Sequence, residues 1–313
     1  MTGALIMLVA LALDAVLGWP KPLFAAIGHP VTWIGALISR LDAWLNLDGV
    51  DPGQRRLAGV IAALAVIAVV GELAWIATWF LPAGWIGVLL GGVLAWPFVA
   101  LRSMHDHVAA VARPLAAGDL DRARHEVSMI VGRDPSRLDE AGVARAALES
   151  LAENTSDGIV APVFWGVLFG LPGIAAYKAI NTLDSMIGHR TERFEAFGWA
   201  SARIDDLANL IPARLTGLLF ALTSVRPKEA LATMWRDAGH HRSPNAGWPE
   251  AALAGALGIR LSGPRVYSDR VAEEPWVNGG APDPGPQDIV RGLAAYRFAM
   301  LALMLIVALS AAI

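Results

Sequence analysis

The sequence predicts an all-α, polytopic integral membrane bundle with amphipathic helices at its cytoplasmic face, and three observations carry that prediction. Hydrophobic residues make up 55% of the 313 and charged residues only 17%, with mean hydropathy +0.49, more apolar surface than a soluble domain needs to bury. Windows at about 56–80, 84–101 and 291–313 are rich in Ala, Leu, Val and Ile, and each approaches or exceeds the roughly 20 residues that cross a hydrocarbon core as helix. Trp19, Trp33, Trp79, Trp85 and Trp199, among twelve tryptophans, fall near the ends of apolar runs, where an interfacial belt places them.

Taken in order, the opening stretch Gly3 to Leu17 is apolar without a basic leader or a small-residue cleavage site, so it is expected to be kept as a span. Residues 102–157 are charged and Ala-rich and read as a solvent-facing segment. Within them Leu120, Ala123, Val127 and Ile130 recur at helical spacing opposite charged residues, which predicts an amphipathic helix. Residues 158–177 are apolar but interrupted at Pro162 and at Gly170-Leu171-Pro172-Gly173. A full crossing there would export Lys178, Arg190, Arg193 and Arg203, against the basic bias that marks the segments after Lys21 and after Arg102 as cytoplasmic. A broken or re-entrant hairpin removes the conflict. The segment 207–224 carries the same ambiguity. Residues 225–290 are rich in Pro and Gly, and Pro275, Pro282, Pro284 and Pro286 predict an extended loop before the last span. The expected organisation is one membrane-embedded domain over 1–313 with polar cytoplasmic-side segments at 102–157, 178–209 and 225–290.

A net charge of -3 and a pI near 6.2 provide no basic footprint for a nucleic acid. With no cysteine, disulfides, thiolate metal sites and a cysteine nucleophile drop out, and any metal must be held by oxygen or imidazole. Phosphate-loop, dinucleotide-fold, zinc-protease and serine-hydrolase motifs are also missing.

The densest polar groups run through Glu149, Glu153, Asn154 and Asp157, then Lys178, Asn181, Asp184, His189, Arg190, Glu192 and Arg193, and end at Asp205, Asp206 and Asn209. Glu149 and Glu153 share a helix face, as do Lys178, Asn181 and either Asp184 or Ser185. Carboxylates with Lys and Arg are what Mg²⁺ and phosphate require, and they are also what a solvated loop contains. Asn154, Asp157, Asn181 and Asp184 flank apolar runs, where burying a polar group is expensive. Asp14, near the end of the first apolar run, is either a site residue or a snorkelling or capping one. His29, between Gly28 and Pro30, is either a base or phosphate contact or a turn histidine. His105, His107, His240 and His241 are read as ordinary helix and loop residues.

At these stretches the chain resembles the CobD/CbiB cobalamin-biosynthesis family. The blocks GRDPSRLDE, ESLAENTSDGIVAPVFW, YKAINTLDSMIGHRTERFEAFGWASARIDDLANLIPARLTGLL and SPNAGWPEAALAGALGIRLSGP carry the likeness, and Asp14, Gly18 and HPVTWIG also fit. Trp19-Pro20 and Pro135 depart from the family's usual Asp-Pro and Thr. The resemblance implies a multi-pass enzyme of the bacterial cytoplasmic (inner) membrane that joins adenosylcobyric acid to (R)-1-aminopropan-2-ol O-phosphate with ATP, giving adenosylcobinamide phosphate. The corrinoid is then a substrate at the membrane face, and association with other corrinoid-pathway enzymes is expected. On that reading Glu153, Asp157 and Asp184 hold Mg²⁺ and triphosphate, while Lys178, Arg190 and Arg193 neutralise phosphates. Asp205, Asp206 and Arg133 are further binding candidates, with Asp14 and His29. Asn154, Asn181 and Asn209 orient ligands, and Asn245 and Trp248 form walls for the corrinoid. Asp184 or Glu192 is the base, with His189 as substitute. A solute transporter is the rival from another class, and it predicts repeated halves; the sequence has one broken segment and no second half.

Overall fold

The computed structural model describes residues 2–132, 134–266, 271–272 and 274–312. In chain order its helices are α1 (Thr2–Leu17), α2 (Lys21–Ile27), α3 (Pro30–Leu45), α4 (Pro52–Trp79), α5 (Trp85–Ala95), α6 (Leu101–Ala116), α7 (Leu120–Ser128), α8 (Glu140–Thr155), α9 (Ala161–Ile187), α10 (Trp199–Ala208), α11 (Leu210–Leu222), α12 (Pro227–Asp237), α13 (Gly247–Leu257) and α14 (Pro286–Ala312). Among the described residues, four two-residue strands lie between α13 and α14. Strand β1 (Leu261–Ser262) pairs antiparallel with β4 (Trp276–Val277), and β2 (Arg265–Val266) with β3 (Val271–Ala272). The molecule is a helical, multi-pass membrane protein. Among the described residues, five stretches are long and apolar enough to cross a membrane: Lys21–Leu45, Pro52–Trp79, Trp85–Ala116, Glu140–Ile187 and Pro286–Ala312. On α4, Leu57, Ile61, Leu64, Leu73 and Ile76 stay exposed, which suits a lipid neighbour.

The chain forms two compact units, one from Met1–Ala100, Ala161–Asn209 and Ile306–Ile313, the other from Leu101–Val160 and Leu210–Leu305. In the first, Ile34 and Ile38 of α3, Ala62, Ala63 and Val66 of α4, and Ala179, Leu183 and Ile187 of α9 make a buried core. The three- and four-residue steps put each set on one helix face. Local chemistry sets the helix starts. His29 caps α3, its Nδ1 accepting from the Val31 amide at 3.2 Å while Thr32 closes a capping box, and Asp51 Oδ1 caps α4 by accepting from Gly53 N at 2.8 Å. Helix α5 approaches α1 closely because Gly92 has no Cβ to strike Val9.

Helix α9 is broken in the middle. Gly170 takes φ 65° and ψ -149°, a conformation essentially confined to glycine, and a Cβ on Gly173 would overlap the carbonyl oxygen of Trp165. Eight residues of continuous helix would separate those positions by about 12 Å, so the chain reverses here, and Trp165 and Ala161 pack with Tyr177. The expected hairpin is present.

In the second unit α8 is not a solvent-facing segment. Eleven of its sixteen residues are buried, from Gly142 to Thr155, because its alanines leave a surface that neighbours approach closely on several sides. The region 225–290 likewise holds more order than a loop. Helix α12 packs against α13, where Gly255 leaves room for Ala230 and Thr233, and every residue of α13 from Pro249 to Leu257 is buried. Among the described residues, the stretch around Pro282 and Pro284 has no regular secondary structure. The amphipathic helix forms as α7, burying Ala123 and Val127. Helix α1, over Thr2–Leu17, is an apolar helix of 16 residues, shorter than the five long apolar stretches.

Candidate functional site

In the first unit, the second arm of α9 presents Lys178, Asn181 and Asp184 at three-residue steps. Lys178 Nζ donates to Asn181 Oδ1 at 3.3 Å, and His189 packs back along the helix with Nε2 2.8 Å from the Ser185 carbonyl oxygen. Glycine at 188 is required beside Asp184, since a Cβ there would strike its carboxylate. Asp184 lies within electrostatic reach of His189 and of Asp206 on α10. Burial pushes the Asp206 carboxyl above the ordinary carboxylate range, with Arg203, 2.9 Å away, opposing the shift. Lys178 is also within electrostatic reach of His29, whose ring meets Trp19 edge-on at 4.8 Å. Asp14 is buried at 4% exposure. Thus Lys178, Asn181, Asp184, His189 and Asp206 belong to one neighbourhood, with His29 at its Lys178 end.

The remaining candidates of this unit have other surroundings. Arg193 Nη2 donates to Asp42 Oδ2 at 2.7 Å, and the Arg193 carbonyl accepts from Asn46 Nδ2 and Arg55 Nη2, so this arginine ties α3 and α4 to the loop after α9. Its guanidinium is held above its usual pKa first by the hydrogen bond to Asp42 and then by that carboxylate's charge. Arg190 and Glu192 are exposed on the same loop. Asn209 closes α10 and donates through Nδ2 to Asp205 Oδ2 at 3.0 Å.

In the second unit, Glu153 and Asn154 are exposed at the end of α8, and Asp157 follows in a π-helical turn, Ser156–Val160. Such turns are frequent at functional sites. Asn154 Nδ2 donates to the Ser150 carbonyl at 2.9 Å. Glu149, one turn before Glu153, points inward: at 7% exposure its Oε1 accepts from Ser262 N at 2.8 Å. Asn245 is buried and its Oδ1 accepts from Arg214 Nη1 at 3.4 Å, with the Arg214 guanidinium 4.4 Å from the Trp248 ring centre. Arg133 lies outside the described residues. Among the described residues no three His, Asp or Glu side chains gather closely enough to hold an ion.

Sequence reasoning does not single out Glu250 and Arg214, and it reads His241 as an ordinary loop residue. Glu250, 1% exposed, lies 3.3 Å from Ser262 Oγ and 3.7 Å from His241 Nε2. The available signal was a lone acid in the otherwise apolar α13 and a lone arginine in the apolar α11, both costly unless partnered.

A multi-pass helical membrane protein with titratable groups clustered beside its apolar helices is the class these features define. A sequence model described as "CobD/Cbib protein" matches residues 7–296. Proteins named "Cobalamin biosynthesis protein CobD" are similar along the chain: one of Rhodobacter capsulatus is 69% identical, covering 99% of this chain and 98% of its own. One of a Sinorhizobium species is 47% identical with 94% of each chain covered, and one of Brucella suis is 48% identical with 88% and 86% covered. No solved structure matches. The chain belongs to the CobD/CbiB family of cobalamin-biosynthesis proteins.

Proposed function

We propose that the protein is an ATP-dependent amide ligase that joins adenosylcobyric acid to (R)-1-aminopropan-2-ol O-phosphate, yielding adenosylcobinamide phosphate at the cytoplasmic face of the bacterial cytoplasmic membrane. The observation that carries the reading is the neighbourhood of Lys178, Asn181, Asp184, His189 and Asp206, set in a chain whose family match covers residues 7–296. A carboxylate and an amine do not condense in water unless the acid is activated and the amine is neutral. In the proposed sequence a carboxylate oxygen of the corrinoid attacks the γ-phosphorus of ATP and ADP leaves, producing an acyl phosphate. The amine nitrogen then attacks the acyl carbon, the C–O bond to phosphate breaks, and a base takes the ammonium proton.

Asp184 suits the base: His189 and Asp206 lie within its electrostatic reach. Lys178 supplies positive charge for a phosphate and Asn181 a directed amide. In the second unit, exposed Glu153 and half-buried Asp157 supply carboxylates. Mg²⁺ is ordinarily held by one or two carboxylates together with substrate phosphates rather than by an all-protein cage, and Glu153 and Asp157 would be the carboxylates to hold it, no three-ligand cluster being present among the described residues. When bound, the ion would neutralise triphosphate charge.

The test is direct. The purified chain in detergent with adenosylcobyric acid, aminopropanol phosphate, Mg²⁺ and ATP is expected to form adenosylcobinamide phosphate with one ADP and one phosphate per product, and Asp184→Ala is expected to lose product while remaining folded. Uptake of corrinoid into vesicles with no ligation would reverse the reading in favour of a transporter.

A further inference from the structure

Four arginines of this chain invite comparison. Arg193, Arg236 and Arg260 each turn the Nε/Nη2 edge of the guanidinium toward a carboxylate: Asp42, Asp237 and Asp283 respectively. That edge is the fork that matches a carboxylate or phosphate with two parallel hydrogen bonds. Arg214 is different. Its Nη1 is used, donating to the Leu210 carbonyl at 2.7 Å and to Asn245 Oδ1 at 3.4 Å, while among the described residues its Nε and Nη2 meet no acceptor and no carboxylate lies within ion-pair distance. The guanidinium is half-buried in the apolar helix α11, where a cation without a counter-charge is costly.

The surroundings hold this fork in place. The Trp248 ring backs the guanidinium at 4.4 Å and is braced edge-on by Trp235, with ring centres 5.0 Å apart. Gly217, one turn along α11, lets the helix press against Trp248, whose carbonyl oxygen would lie 3.0 Å from any added Cβ. Asn245 stands two residues ahead of α13, whose N-terminal end adds positive potential. A rigid cation, an amide, an aromatic platform and a helix N-terminus thus surround one open bidentate edge.

We propose that Arg214, with Asn245 and Trp248, forms an oxyanion site for a phosphate monoester, held by the Nε/Nη2 fork. The assignment of that monoester to the phosphorylated amine substrate rests on the ligase reading; the existence of the site does not. A phosphatidic acid headgroup carries the same chemistry, and the experiment separates the two.

Binding of aminopropanol phosphate to the full chain in maltoside detergent, free of phospholipid, is measured by calorimetry for the wild type, Arg214→Gln and Arg214→Lys. Unphosphorylated aminopropanol is the control ligand, and thermal midpoints check folding. The expected result is a loss of affinity of about tenfold or more in Arg214→Gln, a smaller loss in Arg214→Lys, which keeps the charge without the fork, and no Arg214-dependent binding of the control. If the Arg214-dependent signal arises only with phosphatidic acid in nanodiscs, the site stands and its ligand is the lipid. Equal binding of both phosphates by wild type and both variants overturns the proposal. Ligation assayed in parallel separates the two readings: a wild type that ligates but whose phosphate binding ignores Arg214 refutes the site alone, and one with Arg214-dependent binding but no ligation refutes the ligase reading alone.

Discussion

Tyr177 donates its hydroxyl hydrogen to Asn209 Oδ1 at 2.8 Å, and both residues are 1% exposed. The bond fixes which way the Asn209 amide faces, so that Nδ2 is the atom turned toward Asp205. Tyr177→Phe keeps the ring but leaves a buried acceptor short of a donor, a cost of about 1–3 kcal/mol. The variant is expected to show a lower thermal midpoint in detergent. In a double-mutant cycle, Tyr177→Phe with Asn209→Ala is expected to cost less than the two single changes summed. Strict additivity would mean that the two side chains do not depend on each other.

Gly170 and Gly173 make the reversal in α9 possible by different means. Gly170 supplies a backbone conformation that other residues adopt only at a cost of about 1–3 kcal/mol. Gly173 supplies space, since any Cβ there meets the Trp165 carbonyl. Gly170→Ala is therefore expected to lower the thermal midpoint. Gly173→Leu is expected to be worse, because backbone rather than a flexible side chain must move. Recovery of folded protein from membranes, read as a monodisperse peak in size-exclusion chromatography, ranks them; an undiminished yield of Gly173→Leu would rule out the tight reversal.

This reversal was legible in the sequence because Gly and Pro act locally: Gly170-Leu171-Pro172-Gly173 interrupts an apolar run whatever surrounds it. The long apolar helices α4 and α14 were legible for the same reason, as was the amphipathic spacing of α7. The burial of α8 and α13 was not. Their alanines and glycines read as mildly apolar, and it is tertiary packing, as at Gly255 against Ala230 and Thr233, that makes them core. Lys178, Asn181 and Asp184 were identifiable by helical spacing. The nearness of Asp206 to Asp184, the capture of Arg193 by Asp42, and the inward turn of Glu149 beside exposed Glu153 depend on how elements pack, which a one-dimensional pattern does not encode.

Asp283 gives a prediction in pH. The hydrogen bonds from Arg260, at 2.8 and 2.5 Å, hold its carboxyl below the ordinary range, and Arg145, 2.9 Å away, adds to the effect. A carboxyl whose pKa is depressed on folding adds stability that is fully present above its ordinary value of about 4 and is lost as pH falls through the depressed value. The difference in thermal midpoint between wild type and Asp283→Asn is therefore expected to be constant from neutral pH to about pH 5 and to shrink below pH 4. With 37% of the Asp283 side chain exposed, the effect is limited to about 1 kcal/mol or less. A gap that widens on acidification would contradict the assignment.

Glu149 tests whether a buried acid is retained for its charge or for its oxygen. Its Oε1 accepts from the amide of Ser262, a non-glycine residue at φ 56°, and Ser262 Oγ lies 3.3 Å from Glu250 Oε2. A side chain on α8 thereby pins the end of β1 and a strained backbone position, and Glu250 of α13 meets the same serine. Glu149→Ala removes the acceptor and leaves the Ser262 N–H buried without a partner, at a cost of about 1–3 kcal/mol. Glu149→Gln keeps an oxygen at the same reach and removes the negative charge. If the amide bond is what matters, Gln is expected to preserve the thermal midpoint to within about 1 kcal/mol of wild type, while Ala falls clearly below it. If the charge is what matters, Gln and Ala fall together. Amide hydrogen exchange at Ser262 provides the decisive readout: protection retained in Gln and lost in Ala follows from the geometry, because only the oxygen closes that amide from water.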